Sequence, residues 1–293
     1  MVSIDERKCN LCGICVPVCV RKILTKGEKS VQITDRSLCL ACGHCKAVCP
    51  TDAPQLTGMN EQFQAASLKK EIPAAGELFR FFRRRRSLRV YRPEPVEKEK
   101  LKMLVEAGRY APTGANRQAC EYTVVRGREV LDQVCTLATQ ALQEEGKRIQ
   151  ELVDSYRREK KPLPEDLESQ QYFPAVWGRI AHKWKEGADQ LLHNAPALIV
   201  IHIKENAATT AEIDAGIAAT HMVLLAEALG LGTCFIAFLV RTLQSSKGLR
   251  DLLKIPAGNR AYAALTVGYP AVTYLRLVGR RPAKMKWIGE DAD

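Results

Sequence analysis

The sequence predicts a mixed fold of helices and a β-sheet, of the α/β or α+β class, preceded by a small cysteine-rich unit. Eight of the eleven cysteines lie within the first 49 of 293 residues, in two runs of equal spacing. Further along, four apolar runs of the strand type alternate with helical patterns, which is typical of a sheet covered by helices. These runs are YTVV (122–125), ALIVIHI (197–203), TCFIAFL (233–239) and YAALTVGYP (262–270).

The cysteine runs form an internal repeat. The second run has the spacing C-x2-C-x2-C-x3-C-P, and the first has the same cysteine spacing thirty residues earlier, with Val20 in place of the final proline. This is the bacterial pattern for [4Fe–4S] clusters. Two zinc sites fit less well because zinc usually takes separated C-x2-C pairs. A disulfide framework also fits poorly, since the first residues lack a secretory signal and a reducing, cytoplasmic location is expected.

On these residues, the segment 1–58 resembles a bacterial dicluster ferredoxin. The resemblance implies two [4Fe–4S] clusters in which the fourth cysteine of each run ligates the other cluster. We call the resulting sets cluster 1 (Cys9, Cys12, Cys15, Cys49) and cluster 2 (Cys39, Cys42, Cys45, Cys19). The other three cysteines, at positions 120, 135 and 234, have no motif spacing and are interpreted as small apolar core residues.

The charge balance is basic but does not indicate a nucleic-acid partner. The formal charge of +11 counts the thiols as neutral. Each [4Fe–4S] cluster with four thiolates carries roughly −2, so two clusters remove about four units. No membrane association is expected either, because no segment reaches the roughly eighteen uncharged apolar residues of a span. The nearest, 213–232, contains Asp214 and Glu227 and predicts a helix buried in a core or subunit interface.

Three further divisions follow the cysteine-rich unit. Residues 59–75 are interpreted as a linker and residues 76–293 as a second domain. Within that domain, a charged helical region is predicted at about 129–192, broken by KKPLPED. It contains four aromatic residues that are candidates for a lid over a substrate, with helix packing as the alternative: Tyr172, Phe173, Trp177 and Trp184.

The second domain resembles the nitroreductase family of FMN enzymes over roughly residues 80–285. The segments that carry the resemblance are RRRRSLRVYRPEPVEKEKLKMLVEAGRYAPTGANRQACEYTVV (83–125), DAGIAATHMVLLAEALGLGTCFIAFL (214–239) and LTVGYP (265–270). The resemblance implies the α+β class, with a central, mostly antiparallel sheet covered by helices. It also implies bound FMN and a homodimer in which each subunit completes its partner's flavin site.

The same resemblance assigns flavin-binding residues. The phosphate dianion would be held by guanidinium groups and a hydroxyl, at Arg85, Arg86, Ser87 and Arg89, supplemented by Arg280 and Arg281. The turn that reaches the flavin ring across the dimer interface would supply Pro112, Thr113, Gly114 and Asn116. Ile236 and Ala237 match the strand end beside the ring, although Ala237 replaces a glycine that is usual in the family.

Together these features predict a ferredoxin-fused FMN oxidoreductase of the nitroreductase type. The clusters would take single electrons from an external low-potential donor, such as reduced ferredoxin, and relay them to FMN. FMN would then reduce a small organic acceptor, such as a nitroaromatic, a quinone or an activated alkene. No catalytic side chain is assigned. Two alternatives remain: an electron-transfer flavoprotein that serves a protein partner, and an NAD(P)H-dependent reductase with outward flow through the clusters.

Overall fold

The computed structural model describes residues 2–58 and 72–289. Most of the predicted linker, 59–71, therefore lies outside the described residues. The described chain contains a small cysteine-rich unit up to residue 58 and a larger unit from residue 72 onward. The boundaries assigned from the sequence stay predictions.

The cysteine-rich unit is built on two antiparallel ribbons, and its first and last strands pair with each other. These ribbons join β1 (Val2–Ile4) to β4 (Pro54–Leu56) and β2 (Leu24–Lys26) to β3 (Val31–Ile33). Each cysteine run also carries one short helix, α1 (Cys15–Val18) or α2 (His44–Ala47). Buried Val2, Ile23, Leu24 and Val31 pack around Cys15. The strands therefore hold the two runs against one small apolar core.

The sequence repeat is also a repeat of backbone conformation. Leu11 and Ala41, thirty residues apart, have φ angles of 57° and 50°. The glycines two positions further along, Gly13 and Gly43, have φ angles of 75° and 79°. Non-glycine residues seldom adopt this left-handed region. Both runs thus turn in the same unusual way between their first three cysteines.

The larger unit is centred on a four-stranded sheet whose neighbouring strands are all antiparallel. The strands are β5 (Glu121–Arg126), β6 (Ala197–Lys204), β7 (Gly232–Phe235) and β8 (Asn259–Gly268), in the spatial order β5–β6–β8–β7. Apart from Lys204, every residue of β6 is buried. This burial on both faces explains why its sequence is continuously apolar rather than alternating. The predicted α+β class with an antiparallel sheet is confirmed.

Helices cover both faces of the sheet. They are α3 (Ala75–Arg84), α4 (Lys98–Arg109), α5 (Arg128–Arg158), α6 (Glu165–Gln170), α7 (Phe173–Lys185), α8 (Ala211–Ala228), α9 (Ala237–Ser245) and α10 (Lys247–Leu252). Leu198 and Val200 of β6 pack with α5, α7 and α9, whereas Ile199 and Ile201 pack with α4 and α8. The alternation of a strand's side chains therefore divides the core into two layers.

One sequence expectation needs adjustment. The apolar run 233–239 was expected to be strand throughout, but β7 ends at Phe235 and α9 begins at Ala237. A short apolar run does not distinguish a buried strand from a buried helix, and here the chain turns at Ile236. The charged region contains the long helix α5, which ends before Pro162 and Pro164. Within the described residues, no helix combines the length and apolar character needed to cross a membrane.

Candidate functional site

The cysteines of the two runs are gathered into two groups that mix the runs. A small pocket is lined by Cys39, Cys42 and Cys45 of the second run together with Cys19 of the first. Leu24 and Leu56 contribute apolar walls to the same pocket. This set of thiols has the composition that the sequence predicts for cluster 2.

The complementary group surrounds Cys15. Burial raises the pKa of the Cys15 thiol, and the nearby thiols of Cys49, Cys12 and Cys9 raise it further, against a backbone hydrogen bond that lowers it. Cys49 of the second run thus lies beside three thiols of the first, as predicted for cluster 1. Burial likewise raises the pKa of Cys45, to about 11. A raised pKa keeps the thiol protonated at neutral pH, and a thiol must lose that proton when it becomes a cluster ligand.

Backbone N–H groups point at several of the sulfur atoms. Cys9 Sγ lies 3.5 Å from the nitrogen of Val31, Cys39 Sγ lies 3.4 Å from that of Ala41, and Cys49 Sγ lies 3.3 Å from that of Ala53. Hydrogen bonds to cluster sulfurs are one means by which a protein tunes a cluster's potential. No three Cys, His, Asp or Glu side chains of the described chain converge as ligands of a single ion would. A cubane instead takes its thiolates at separate corners, and the two four-thiol groups fit that requirement.

The basic segment at residues 85–89 lies beside β7 and forms a second site. The nitrogen of Leu88 donates to the carbonyl of Thr233 at 2.9 Å, which lays the segment alongside the strand. A Cβ at Gly232 would come within 2.2 Å of Leu88, so this close approach needs glycine. Side chains of an extended segment point alternately to its two sides. Arg85, Ser87 and Arg89 therefore point to one side of the segment, and Arg86 and Leu88 point to the other.

Arg85, Ser87 and Arg89 share the face that approaches Cys234. Burial raises the pKa of the Cys234 thiol, and the charge of Arg89, a hydrogen bond with Ser87 and the charge of Arg85 oppose that rise. Two guanidinium groups and a hydroxyl thus surround one point. The charge and the donor types of this set suit a phosphate dianion.

Arg86 lies on the opposite side of the segment. Its Nη1 donates to the carbonyls of Arg83 (3.0 Å) and Arg85 (2.8 Å), while its Nε and Nη2 are buried without a hydrogen-bond partner. It lines a different cavity, of about 1320 Å³, beside Glu227 and the C-terminal tail. The structure therefore does not bring Arg86 together with the other three predicted phosphate ligands, because successive side chains of an extended chain point apart.

The predicted flavin-side turn is anchored to the start of α8. The nitrogen of Gly114 donates to Oδ1 of Asp214 at 3.0 Å, and the Thr210 hydroxyl donates to the same oxygen at 3.0 Å. A Cβ at Gly114 would lie 2.5 Å from the Thr210 hydroxyl. Thr113 accepts a hydrogen bond from the nitrogen of Gln118 at 2.9 Å. Pro112 is exposed beside this turn.

Asn116 connects the turn to the cysteine-rich unit. Its backbone is left-handed, with φ of 54°, and its Nδ2 donates to the carbonyls of Leu40 (3.0 Å) and Ala41 (3.2 Å). Leu40 and Ala41 stand between Cys39 and Cys42. The turn predicted to meet the flavin thus also contacts the loop predicted to hold cluster 2. No motif or spacing in the sequence predicts this contact.

The remaining predicted ring-side residues lie where β7 ends. Ile236 is buried and donates its N–H to the carbonyl of Ala264 at 2.9 Å, whereas Ala237 is exposed and begins α9. The ring of Phe238, the next residue, meets the rings of Phe173 and Trp177 edge to face, with 5.9 Å between ring centroids in each pair. The aromatic candidates from the helical region therefore do reach the end of β7.

Only some of those aromatic residues are placed as a lid would be. Trp177 is 0% exposed and stacks on Phe173, with 5.0 Å between the ring centroids. The Nε1–H of Trp184 donates a hydrogen bond to the hydroxyl of Thr136 at 3.1 Å. Trp177 is thus packed in the core, which agrees with the helix-packing alternative for this residue. Tyr172 is 57% exposed and lies 4.3 Å from Phe173. The lid proposal narrows to Tyr172 and Phe173.

Three residues near these sites were not singled out by the sequence. Cys234 is buried in the core, as the sequence predicts, and its thiol also lies close to Arg89. Burial lowers the pKa of His193, and the charge of Arg89 lowers it further while Asp189 opposes the shift. Asp214, noted only as a charge in an apolar helix, holds the flavin-side turn. For Asp214, the one available sequence signal is a charged residue in an otherwise apolar helix.

Arg280 and Arg281, which were predicted to supplement the phosphate site, lie on the exposed C-terminal tail.

The fold and these two sites define a class of protein: a ferredoxin-type unit joined to a flavin-oxidoreductase-type domain. A model of the nitroreductase family matches residues 82–269, more than half of the chain. The chain belongs to the nitroreductase family. A model described as a 4Fe-4S binding domain matches residues 33–55, which include the second cysteine run. Both resemblances predicted from the sequence are confirmed.

Solved structures agree on the fold of the larger unit. A nitroreductase with bound FMN from Bacteroides fragilis covers 73% of this chain and 99% of its own, with 20% identity and a TM-score of 0.54. A nitroreductase with bound FMN from Desulfitobacterium hafniense covers 73% of this chain and 98% of its own, with 23% identity and a TM-score of 0.50. Identity at this level establishes the shared fold.

A curated relative supports the iron–sulfur part. NADH-quinone oxidoreductase subunit I 2 of Geobacter metallireducens is 34% identical over 80 residues, which are 24% of this chain. The matching region spans 58% of that relative's length. The likeness therefore concerns a part of each protein.

Proposed function

We propose that this protein is an FMN-dependent oxidoreductase in which two [4Fe–4S] clusters relay single electrons to the flavin. The observation that carries the proposal is the presence, in one chain of the nitroreductase family, of two complete four-thiol groups and a turn that contacts both units. Both structural neighbours are described as binding FMN. When bound, the clusters supply single electrons, and FMN stores two of them for delivery as a pair to an acceptor.

Arg85, Ser87 and Arg89 are the proposed phosphate ligands. They meet on one face of the segment beside β7, around Cys234. Guanidinium groups bind phosphate oxygens in a fork, and the Ser hydroxyl adds a directed hydrogen bond. Pro112, Thr113, Gly114, Ile236 and Ala237 are proposed to border the ring. Gly114 allows the backbone to pass closely, and Asp214 fixes the turn.

The acceptor is proposed to be a small, electron-poor organic compound, such as a nitroaromatic, a quinone or an activated alkene. Tyr172 and Phe173 lie in an aromatic group that reaches Phe238 at the start of α9. Aromatic rings stack favourably on flat, apolar substrates. Tyr172, which is exposed, is the proposed substrate contact.

A homodimer is proposed as the working assembly. The turn at 112–116 is the element that the family resemblance carries to a partner's flavin. Ile213 of α8 is 60% exposed, and Leu275 and Ile288 of the C-terminal tail are 83% and 95% exposed. Exposed large apolar side chains can belong to an interaction surface. A second copy of the chain would cover them, and a cytoplasmic location is proposed with it.

An anaerobic stopped-flow experiment tests the proposed direction of electron flow. Flavin reduction by reduced ferredoxin, or by a reduced viologen, is expected to be much faster than reduction by NADH or NADPH. The variant Cys42→Ser, which removes one thiol of cluster 2, is expected to retain FMN but lose the fast phase. Cys120→Ser, a cysteine outside both groups, is the matched control.

Two results would overturn parts of this function. Flavin reduction at the wild-type rate in a Cys42→Ser variant that keeps its FMN would show that the clusters are not the entry path. Fast reduction by NADH followed by cluster reduction would establish the outward flow instead. Turnover measured with a panel of small-molecule electron acceptors then distinguishes the two alternatives. Turnover of a small acceptor indicates an enzyme with its own substrate, and its absence indicates a carrier that serves a protein partner.

A further inference from the structure

The two cysteine runs differ in what they contact. In the second run, the carbonyls of Leu40 and Ala41 accept hydrogen bonds from Asn116, at 3.0 and 3.2 Å. The nitrogen of Ala41 donates in turn to Sγ of Cys39, at 3.4 Å. A short path of hydrogen bonds and one backbone residue therefore joins a cluster 2 thiol to the flavin-side turn.

The equivalent segment of the first run is turned toward its own loop and the surface. Asn10, which corresponds to Leu40, accepts a hydrogen bond from the nitrogen of Cys12 at 3.3 Å. Cys12 is exposed, whereas its counterpart Cys42 is only partly exposed. The repeat thus presents one cysteine loop to the surface and docks the other on the larger unit.

We propose that Asn116 is a positioning residue that docks the cluster 2 loop on the flavin-side turn, so that cluster 2 is the inner electron station and cluster 1 the outer one. The inference rests on the proposed function. Cys9, Cys12, Cys15 and Cys49 would hold the cluster that takes single electrons from an external donor, and Cys39, Cys42, Cys45 and Cys19 the cluster that passes them on. For every two electrons that the donor loses, FMN would gain two, and protons from water would form its new N–H bonds as O–H bonds of water break.

The chemistry of position 116 suits this role. The left-handed backbone there is one that asparagine tolerates better than most residues. The side-chain amide carries two N–H donors, which allows one group to serve two carbonyls. The turn behind it is held by Asp214, a carboxylate that is 1% exposed. Asn116 therefore projects from a fixed support, and its contact sets the distance between the two units.

The first test replaces the donor without straining the backbone. Asn116→Gly keeps the left-handed conformation and removes the side chain, and Asn116→Asp keeps the size and removes the donors. Gln118→Gly is the matched control, because Gln118 has φ of 50° in the same turn and is exposed. All variants are prepared as cluster-loaded, flavin-loaded full chains.

Hydrogen–deuterium exchange measures the docking itself. Loss of the Asn116 contact should raise exchange of the amides in 39–45 by about fivefold or more, while exchange in 9–15 stays at the wild-type level. Gln118→Gly should leave both loops unchanged. Because this readout does not need bound flavin, it decides the docking claim even for a variant that loses FMN. Unchanged exchange in 39–45 of both Asn116 variants would overturn it.

Anaerobic stopped-flow measures the electron path. In Asn116→Gly, reduction of FMN by a reduced viologen through the clusters should slow by about tenfold or more, because small errors in position have large effects on rate. Reduction of the clusters themselves should keep the wild-type rate. A purely structural defect would slow both steps. Equal slowing in Gln118→Gly, or no slowing in either Asn116 variant, would overturn the positioning role.

The order of the clusters is tested by removing them singly. Cys42→Ser should abolish flavin reduction through the clusters, whereas Cys12→Ser should leave a slower direct reduction of cluster 2 by a small viologen. If neither variant slows the flavin, the proposed function fails. If both slow it but the Asn116 variants do not, the proposed function stands and this inference fails. The reverse order of the two cysteine effects would exchange the inner and outer assignments.

Discussion

The two cysteine runs have the same spacing and the same left-handed turns, yet they occupy different positions in the molecule. Leu11 and Ala41 have φ angles of 57° and 50°, so the loops are near copies. Cys12 is exposed on one loop, while Leu40 and Ala41 of the other accept hydrogen bonds from Asn116. The repeat therefore predicts two sites for the same cofactor, and the proposed difference in their tasks comes from their different surroundings.

The largest expected effect comes from removing one cluster ligand in each run. The intact protein should hold about eight iron and eight sulfide per chain, and Cys42→Ser or Cys12→Ser should each lower the iron content to about four. Flavin reduction through the clusters should be lost in Cys42→Ser and only slowed in Cys12→Ser. Iron and sulfide assays beside stopped-flow traces check this.

Stoichiometric zinc, or about four iron in the unaltered chain, would contradict the two-cluster assignment. Equal rates in the two variants would remove the functional difference between the runs. Cys120→Ser should keep the full iron content, since Cys120 belongs to neither thiol group.

The second effect concerns the flavin end of the path. Arg89→Ala should lower FMN retention by about tenfold or more, because a charged contact to the phosphate is lost. Both cysteine runs should keep their iron and their exchange pattern, since the Asn116 contact does not involve Arg89. Flavin absorbance after gel filtration measures retention.

Arg83→Ala is the matched control for that variant, because Arg83 lies at the exposed end of α3 above the Phe79 ring. Equal flavin retention in Arg83→Ala and Arg89→Ala would show that the phosphate site is misplaced. Loss of iron in Arg89→Ala would show that the two units depend on each other more than their contacts indicate.

The third prediction concerns Asp214, which lies outside the second cysteine run but supports the turn that contacts it. Asp214→Ala removes the carboxylate that accepts from Gly114 and Thr210. Leaving a buried backbone N–H unpaired costs about 1–3 kcal/mol, so the free energy of unfolding should fall by that amount. Denaturant unfolding measures this. The loosened turn should also raise amide exchange in 39–45, but not in 9–15.

Asp214→Asn provides the comparison for Asp214→Ala. Its side-chain carbonyl can still accept from Gly114, so most of the stability and the low exchange of 39–45 should return. Full stability in Asp214→Ala would mean that the turn does not depend on this carboxylate.

The smallest effect is expected in the first run. Asn10→Ala removes the side-chain acceptor for the nitrogen of Cys12, a 3.3 Å contact at the surface. A neutral hydrogen bond of this kind contributes about 0.5–1.5 kcal/mol, so amide exchange should rise modestly in 9–15 alone. A rise in 39–45 would show that the two loops move together, and the contrast between them would weaken.

Much of this molecule could be predicted from local pattern. The cysteine spacing predicts two clusters, and the resemblance to dicluster ferredoxins predicts the exchange of the fourth ligand. The structure groups the eight thiols in the same two sets. The apolar runs predicted the positions of all four strands of the sheet, most clearly for β6, where burial on both faces leaves a continuous apolar sequence. The basic segment and the small-residue turn identified the family, which the match over residues 82–269 confirms.

Other features depended on which chain segments meet. Nothing local separates Arg86 from Arg85 and Arg89, but the bridge between Ser87 and Thr233 fixes which side each faces. Trp177 resembles a lid residue by composition, and only its packing against α5 and Phe238 makes it core. In both cases, the surroundings of the side chain are set by a neighbouring strand or helix that is distant in sequence.

The amino-acid sequence by itself determined that this protein has two similar cysteine loops, a family fold and a flavin-type basic segment. Only the tertiary structure distinguished the loops, because Asn116 lies 75 and 76 positions from Ala41 and Leu40 along the chain. Hydrogen bonds over such separations have no signature in spacing or periodicity. They form when the sheet and α8 hold the turn at 112–116 in place, and that support decides which of two near-identical loops faces the flavin site.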